Sequence, residues 1–97
     1  LVTGEDAVRN SIRNGRVKLV IISEDASDNT RKRMSNSAEF YSVPFIIWGL
    51  KDEFGSSLGK SARSVLGITD ENFSNGIKAI LIDEVRKKEK PGGGFIE

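Results

Sequence analysis

The chain contains no cysteine and no histidine. Without cysteine there is no disulfide framework and no thiolate metal site. Without histidine there is no Ser-His-Asp or Cys-His catalysis, and the commonest metal ligand is missing. A dominant charge is lacking as well. Fifteen Lys and Arg against 14 Asp and Glu leave a net charge of +1, so no overall basic field announces nucleic acid. The longest apolar runs fall far short of the ~20 residues of a membrane-spanning helix, and no signal-peptide pattern opens the chain. Leu1 stands first in place of Met, which fits a fragment or trimmed chain. What is present, 97 residues at 37% hydrophobic and 30% charged, has the composition of one soluble globular domain with a modest core.

Helix and strand patterns alternate along it. Thr3 is placed to cap a first helix, with Glu5 and Asp6 in its first turn, Val8 and Ile12 on one face, and Asn14-Gly15 at its end. Val17 to Ile22 is a β-branched run, as in a strand covered on both faces. Ser27 or Asp28 caps a second helix with Thr30, Met34, Ala38 and Tyr41 at helical spacing. Val43 to Gly49 reads as a second strand, with Pro44 near its start or on an edge. Leu50, Phe54 and Leu58 mark a short helix ending near Gly59, and Ser64 to Ile68 is a third strand. Thr69 caps a last helix that buries Phe73, Ile77, Ile80, Leu81 and Val85. There is no internal repeat. The alternation predicts a three-layer α/β/α sandwich, a small mixed sheet with helices on both faces. Residues 1–86 form the single domain, and 87–97 a flexible, charged, glycine-rich tail.

FGSSLGKSARS, residues 54–64, resembles a phosphate-binding loop at first sight. A Walker A loop has G-x-x-x-x-G-K-[ST], so that successive amides wrap a phosphate. Counted back from Gly59, the first glycine falls on Phe54, and Gly55 leaves the spacer one residue short. A phosphate-binding loop also follows a strand and opens a helix, whereas this one closes a helix and enters a strand. Nucleotide binding is therefore not expected. Gly55 allows close packing and Gly59 ends the helix, which leaves Lys60 and Arg63 in an exposed loop to be explained.

The order GEDAVRNSIRNGRVKLVIISEDASDNTRKRM, YSVPFIIWG and EFGSSLGKSARSVLGITD is similar to the small bacterial YlxQ-type proteins of the ribosomal seven-Ae and thirty-e superfamily. The similarity runs from residue 1 to about Leu81. Gly4, the strand and loop LVIISEDASDNT, Val43-Pro44 and FG-x-x-x-GK-x-AR carry it. The resemblance implies the same sandwich, a cytoplasmic monomer without cofactor, metal, nucleotide or membrane partner, and kink-turn RNA binding, possibly to ribosomal RNA. It assigns the RNA site to Gly4, Glu5, Asp6 and Asn10 on the first helix, Glu24 after the first inner strand, and Gly59, Lys60, Ser61, Ala62 and Arg63 in the loop. Regular A-form RNA has a major groove too deep and narrow for a helix, but a sharp kink opens it. A helix N-terminus can then meet phosphate with its amides while short polar side chains reach base edges.

Three departures stand out. Kink-turn binders usually carry an acidic or amide residue where this chain has Ala7, a lysine where it has Asn10, and a helix before the position of Leu1. Loss of that helix would uncover apolar surface near the first and last helices. Other candidates have plainer explanations. Arg31, Lys32 and Arg33 read as a solvated helix face, since Asp28 and Glu39 share that helix. Glu24, Asp25 and Asp28 fit no EF-hand spacing and suit helix capping better than a metal. Trp48 and Tyr41 could stack on bases, although such residues more often sit half-buried with a bonded edge. Glu5 and Asp6 read as helix-start charges before they read as paired catalytic acids. A non-enzymatic RNA-binding module is thus expected, followed by a protein-interaction or assembly module on the same fold, then a small-ligand enzyme.

Overall fold

The computed structural model describes residues 1–77. Four strands form one sheet: β1 (Val2–Thr3), β2 (Leu19–Ile22), β3 (Phe45–Ile47) and β4 (Val65–Ile68). Between them run α1 (Glu5–Arg13), α2 (Asp28–Phe40) and α3 (Lys51–Ser57), and a fourth helix, α4, covers residues 71–77. The strand order is β1-β4-β2-β3. β2 and β3 are parallel, while β4 runs antiparallel to both β1 and β2, so the sheet is mixed.

The β-branched run at β2 is buried at all four positions, because helices cover both faces of this central strand. On one face Val20 and Ile22 pack with Val8 and Ile12 of α1 and Met34 and Ala38 of α2. On the other, Leu19 and Ile21 meet Phe54 of α3, Ile68 and Ile77. The three-layer sandwich follows from that division. Truncating Ile12, 1% exposed, to alanine would cost about 2–5 kcal/mol. Pro44 precedes β3 on the sheet's edge, where its missing N–H breaks no ladder.

Three expectations need correction. Thr3 does not cap α1. It pairs with Leu66 in the short strand β1, and Gly4 takes the cap position instead. A two-residue strand carries too little periodicity to be seen in sequence. Asp70, not Thr69, caps α4, its Oδ1 accepting the Phe73 N–H at 2.9 Å. Phe73 is 57% exposed rather than buried. Ile80, Leu81, Val85, the domain end at 86 and the tail 87–97 lie outside the described residues.

Candidate functional site

The sheet topology brings the C-terminal ends of β1, β2 and β3 to the end where β4 begins. Three helices start there, α1 after β1, α2 after β2 and α3 after β3. Gly4 turns the chain from β1 into α1. Its φ of 93° and ψ of 150° lie where a residue with a Cβ is strained. Its N–H donates to Val65 O at 2.9 Å and its carbonyl accepts from Val8 N at 3.0 Å, tying α1's start to β4. Among the described residues no side chain caps α1, so its first-turn amides have no side-chain partner there.

The 59–63 loop lies beside this corner. α3 ends with the Gly59 N–H on Ser56 O at 3.1 Å and the Lys60 N–H on Gly55 O at 2.7 Å, a Schellman closure with Gly59 at φ 69°. The chain then folds back over Gly55. A Cβ there would stand 2.1 Å from the Ser61 carbonyl oxygen, so only glycine admits this path. The segment closes a helix and enters a strand, the reverse of a phosphate-binding loop. The Arg63 N–H donates to Lys51 O at 3.0 Å. Its guanidinium donates to Ser61 O at 3.0 Å, Ser61 Oγ at 2.7 Å, Ala62 O at 3.1 Å and, through Nε, Thr3 Oγ1 at 3.4 Å. Arg63 therefore braces the loop against β1 and keeps its charge, with no carboxylate paired to it among the described residues. Lys60, Ser61 and Ala62 are exposed.

Glu5 is the most constrained candidate. Arg33 of α2 donates to it through Nε and, at 3.0 Å, Nη2. Thr30 Oγ1 donates at 3.3 Å, and Arg9 stands 3.5 Å away. The Arg33 hydrogen bonds hold the Glu5 carboxyl below its usual range, against the opposing effect of burial, and they raise Arg33 in turn. Arg33 is thus not a purely solvated residue, and the cluster at 31–33 divides. Arg33 joins the site end, Arg31 pairs with Asp28 at 2.6 Å, and Lys32 is exposed without an acidic partner among the described residues.

Glu24 lies at the same sheet end, at its β3 side. Its N–H donates to Gly49 O at 2.8 Å and its Oε2 accepts from Gly49 N at 3.2 Å. Asp25 caps α3 rather than α2, accepting the Lys51 N–H at 3.0 Å, a bond that lowers its carboxyl from the ordinary range. Ser27 caps α2 through the Thr30 N–H at 3.1 Å. Asp6 is exposed beside Arg9 at 3.8 Å. Asn10 is not gathered with the others. It sits further along α1 and accepts a hydrogen bond from Arg13. The residues that sequence patterns did not assign to this site are Thr3, Asp25, Thr30, Arg33 and Lys51, all joined to it by contacts that only the fold creates. Trp48, 44% exposed and stacked on Phe54 at 6.5 Å, also stands there.

A mixed sheet between two helix layers, with a glycine-turned helix start and a glycine-closed cationic loop joined at one end, defines a class of small single-sheet α/β/α domains. Within it, the chain belongs to the ribosomal protein L7Ae/L30e/S12e/Gadd45 family, whose model matches residues 1–78. It is 42% identical over 81 residues to the RNA-binding protein YlxQ of Bacillus subtilis (strain 168), covering 84% of this chain and 81% of that protein. It is 35% identical over 81 residues to the RNA-binding protein YlxQ of Enterococcus faecium, covering 84% and 78%. A Bacillus halodurans protein of unknown function superposes with a TM-score of 0.79 at 34% identity, over 84% of this chain and 82% of that one. The Giardia lamblia 15.5kD RNA binding protein shares the fold, with a TM-score of 0.67 at 23% identity over 87% and 72%.

Proposed function

We propose that this chain is a non-enzymatic RNA-binding module that grips sharply kinked RNA with the sheet end formed by Gly4, the start of α1 and the 59–63 loop. The observation that carries the proposal is the joining of these two segments: the Gly4 N–H on Val65 O, and Arg63 braced on Thr3. The α1 amides then face phosphate where a kink opens the groove, Asp6 and Glu5 flank base edges, and Lys60 and Arg63 hold the backbone beside the bend. Glu24 completes the site across the sheet end. Membership of the family and the names of the relatives support RNA as the partner. The module acts as a monomer in the cytoplasm, on ribosomal RNA or a comparable structured RNA.

A specific observation favours a second role, as a protein-assembly module with weak RNA affinity. The Glu5 carboxylate is already occupied by Arg33 and Thr30, and Ala7 offers no polar group beside it. Titration of a kink-turn duplex, against the same duplex with its sheared G·A pairs changed to Watson–Crick pairs, separates the two. The RNA module binds the kinked duplex preferentially. Equal affinity for both sinks kink recognition and leaves the assembly role.

A further inference from the structure

The end of the sheet opposite this site carries a second group of cations, and among the described residues none of them is spent on an acid. Lys18 precedes β2, five residues from Ser23, so the two ends stand about 16 Å apart along that strand. A cleft of about 350 Å³ opens there, lined by Arg13, Lys18, Tyr41 and Ser42 among others. That volume lies at the small end of the range for ligand clefts. Arg13, Arg16 and Lys18 are exposed, and none forms an ion pair among the described residues. A cation in the last turn of α1 would by itself be explained by the helix dipole, as Arg13 is. Arg16 and Lys18 lie beyond the helix, whose final carbonyls are already met by the Gly15 and Arg16 amides, so the dipole does not account for them.

Two aromatic residues stand at the same end. Tyr41 is 41% exposed and Phe40 79%, and their rings pack edge-to-face at 4.9 Å. Exposure of both leaves unburied apolar surface that the core does not use. The turn that holds Tyr41 is strained. Ser42 is the described chain's one non-glycine residue at positive φ, 59°, where its N–H donates to Glu39 O at 3.1 Å and the next N–H, of Val43, to Ala38 O at 2.8 Å. Glycine usually fills such a position. Strain retained beside a cleft is a common property of ligand sites.

We infer that this cleft binds single-stranded RNA, one unpaired base stacking on Tyr41 and the flanking phosphates meeting Arg13 and Lys18, with Arg16 extending the track. An aromatic ring lining the same cleft as cations left unpaired among the described residues is the kind of arrangement that holds single strands without reading their sequence. The inference goes beyond the kinked-RNA site and does not depend on it, since no residue is shared.

The probe is a short oligouridylate, which forms no kink, titrated at low salt against the full chain. Arg13→Glu with Lys18→Glu lowers its affinity at least ten-fold and reduces the salt slope by about 1.4 units, two single-strand phosphate contacts. Tyr41→Leu lowers it about ten-fold, within the range for loss of one base stack. Lys60→Glu lowers it no more than Lys32→Glu does, the small loss that any exposed cation contributes through the general field. Tyr41 is the only tyrosine, so its ring resonances shift directly on binding, and a thiouridine-substituted oligonucleotide cross-links to its peptide in the unaltered protein. Circular dichroism melts confirm that each variant is folded, and the cross-link stands even if one is not. The inference is overturned if the unaltered protein does not bind the oligonucleotide, if affinity follows Lys60 rather than Arg13 and Lys18, or if the cross-link maps elsewhere. It is equally overturned if an acidic peptide of matched charge competes as well as the RNA, which would mark the cleft as a general polyanion or protein surface.

Discussion

On α2, Arg31 closes on Asp28 at 2.6 Å and Arg33 on Glu5, so two of three consecutive cations are neutralised. In the 59–63 loop, Lys60 has no acidic partner among the described residues, and Arg63 is bonded only to carbonyls and hydroxyls, which leave its charge intact. The denser cluster in the sequence is therefore the poorer source of positive potential. What matters for an anionic partner is the charge left after local pairing, and pairing is decided by which helices face each other.

The largest expected effect breaks that contrast directly. Lys60→Glu with Arg63→Glu weakens binding of the kinked duplex by at least a hundred-fold and lowers the salt slope by about two units, because two phosphate contacts become repulsions. Replacing Arg31, Lys32 and Arg33 with Ser produces a smaller loss, similar for kinked and straight RNA. Titrations of both duplexes across a salt series measure this. Loss of kink preference in the triple variant, with preference kept in the double, would move the RNA surface to α2.

Next in size is the loop's shape. Gly55→Ala places a methyl 2.1 Å from the Ser61 carbonyl, which is backbone and cannot swing aside. Overpacking of this kind costs about 1–3 kcal/mol, read by thermal or urea melts. If Lys60 and Arg63 act only from the folded-back loop, affinity falls with it although no charge has changed. Unchanged stability would mean that the loop yields freely. The opposite end answers with the reverse sign. Ser42→Gly removes a left-handed serine and stabilises the fold by about 1 kcal/mol, with kinked-duplex affinity unaltered.

Much of this architecture was visible in the chain. The run from Val17 to Ile22, of which Leu19–Ile22 is buried on both faces, announced a central strand, and Gly59 with Lys60 announced a helix end followed by an exposed cation. The unseen parts depend on partners distant in sequence. β1 is two residues long and exists because β4 lies beside it. Asp25 sits in a loop where a cap for α2 would be expected, yet the sheet register delivers the start of α3 to it. The Glu5–Arg33 pair spans 28 residues, and no spacing rule relates them. Local signals give helix ends, strands and turns; charge pairing between elements needs the fold.

The smallest predicted effect concerns that pair. Arg33 holds the Glu5 carboxyl below the 4.5 of a free glutamate, so the folded state releases this proton more readily than the unfolded chain does. A group lowered in this way stabilises fully above its unfolded value, and the contribution disappears as pH falls through the lower folded value. Glu5→Gln therefore costs a little stability near neutrality, and the difference from the unaltered protein shrinks to nothing as the medium is acidified from about pH 4.5 downward. Arg33 stays charged throughout, so it adds no slope of its own in this range. Asp25, lowered by the Lys51 N–H, likewise loses its contribution on the acid side and supplies the internal control: its dependence persists in Glu5→Gln and vanishes in Asp25→Asn. Urea melts at stepped pH, on the two single variants and on Glu5→Gln with Arg33→Ser, decide the matter. A double variant no less stable than Glu5→Gln alone shows that the carboxylate was Arg33's whole contribution. An acid-side slope unchanged in Glu5→Gln would mean that Arg33 does not hold Glu5 in solution, leaving that carboxylate at the start of α1 free to meet a partner.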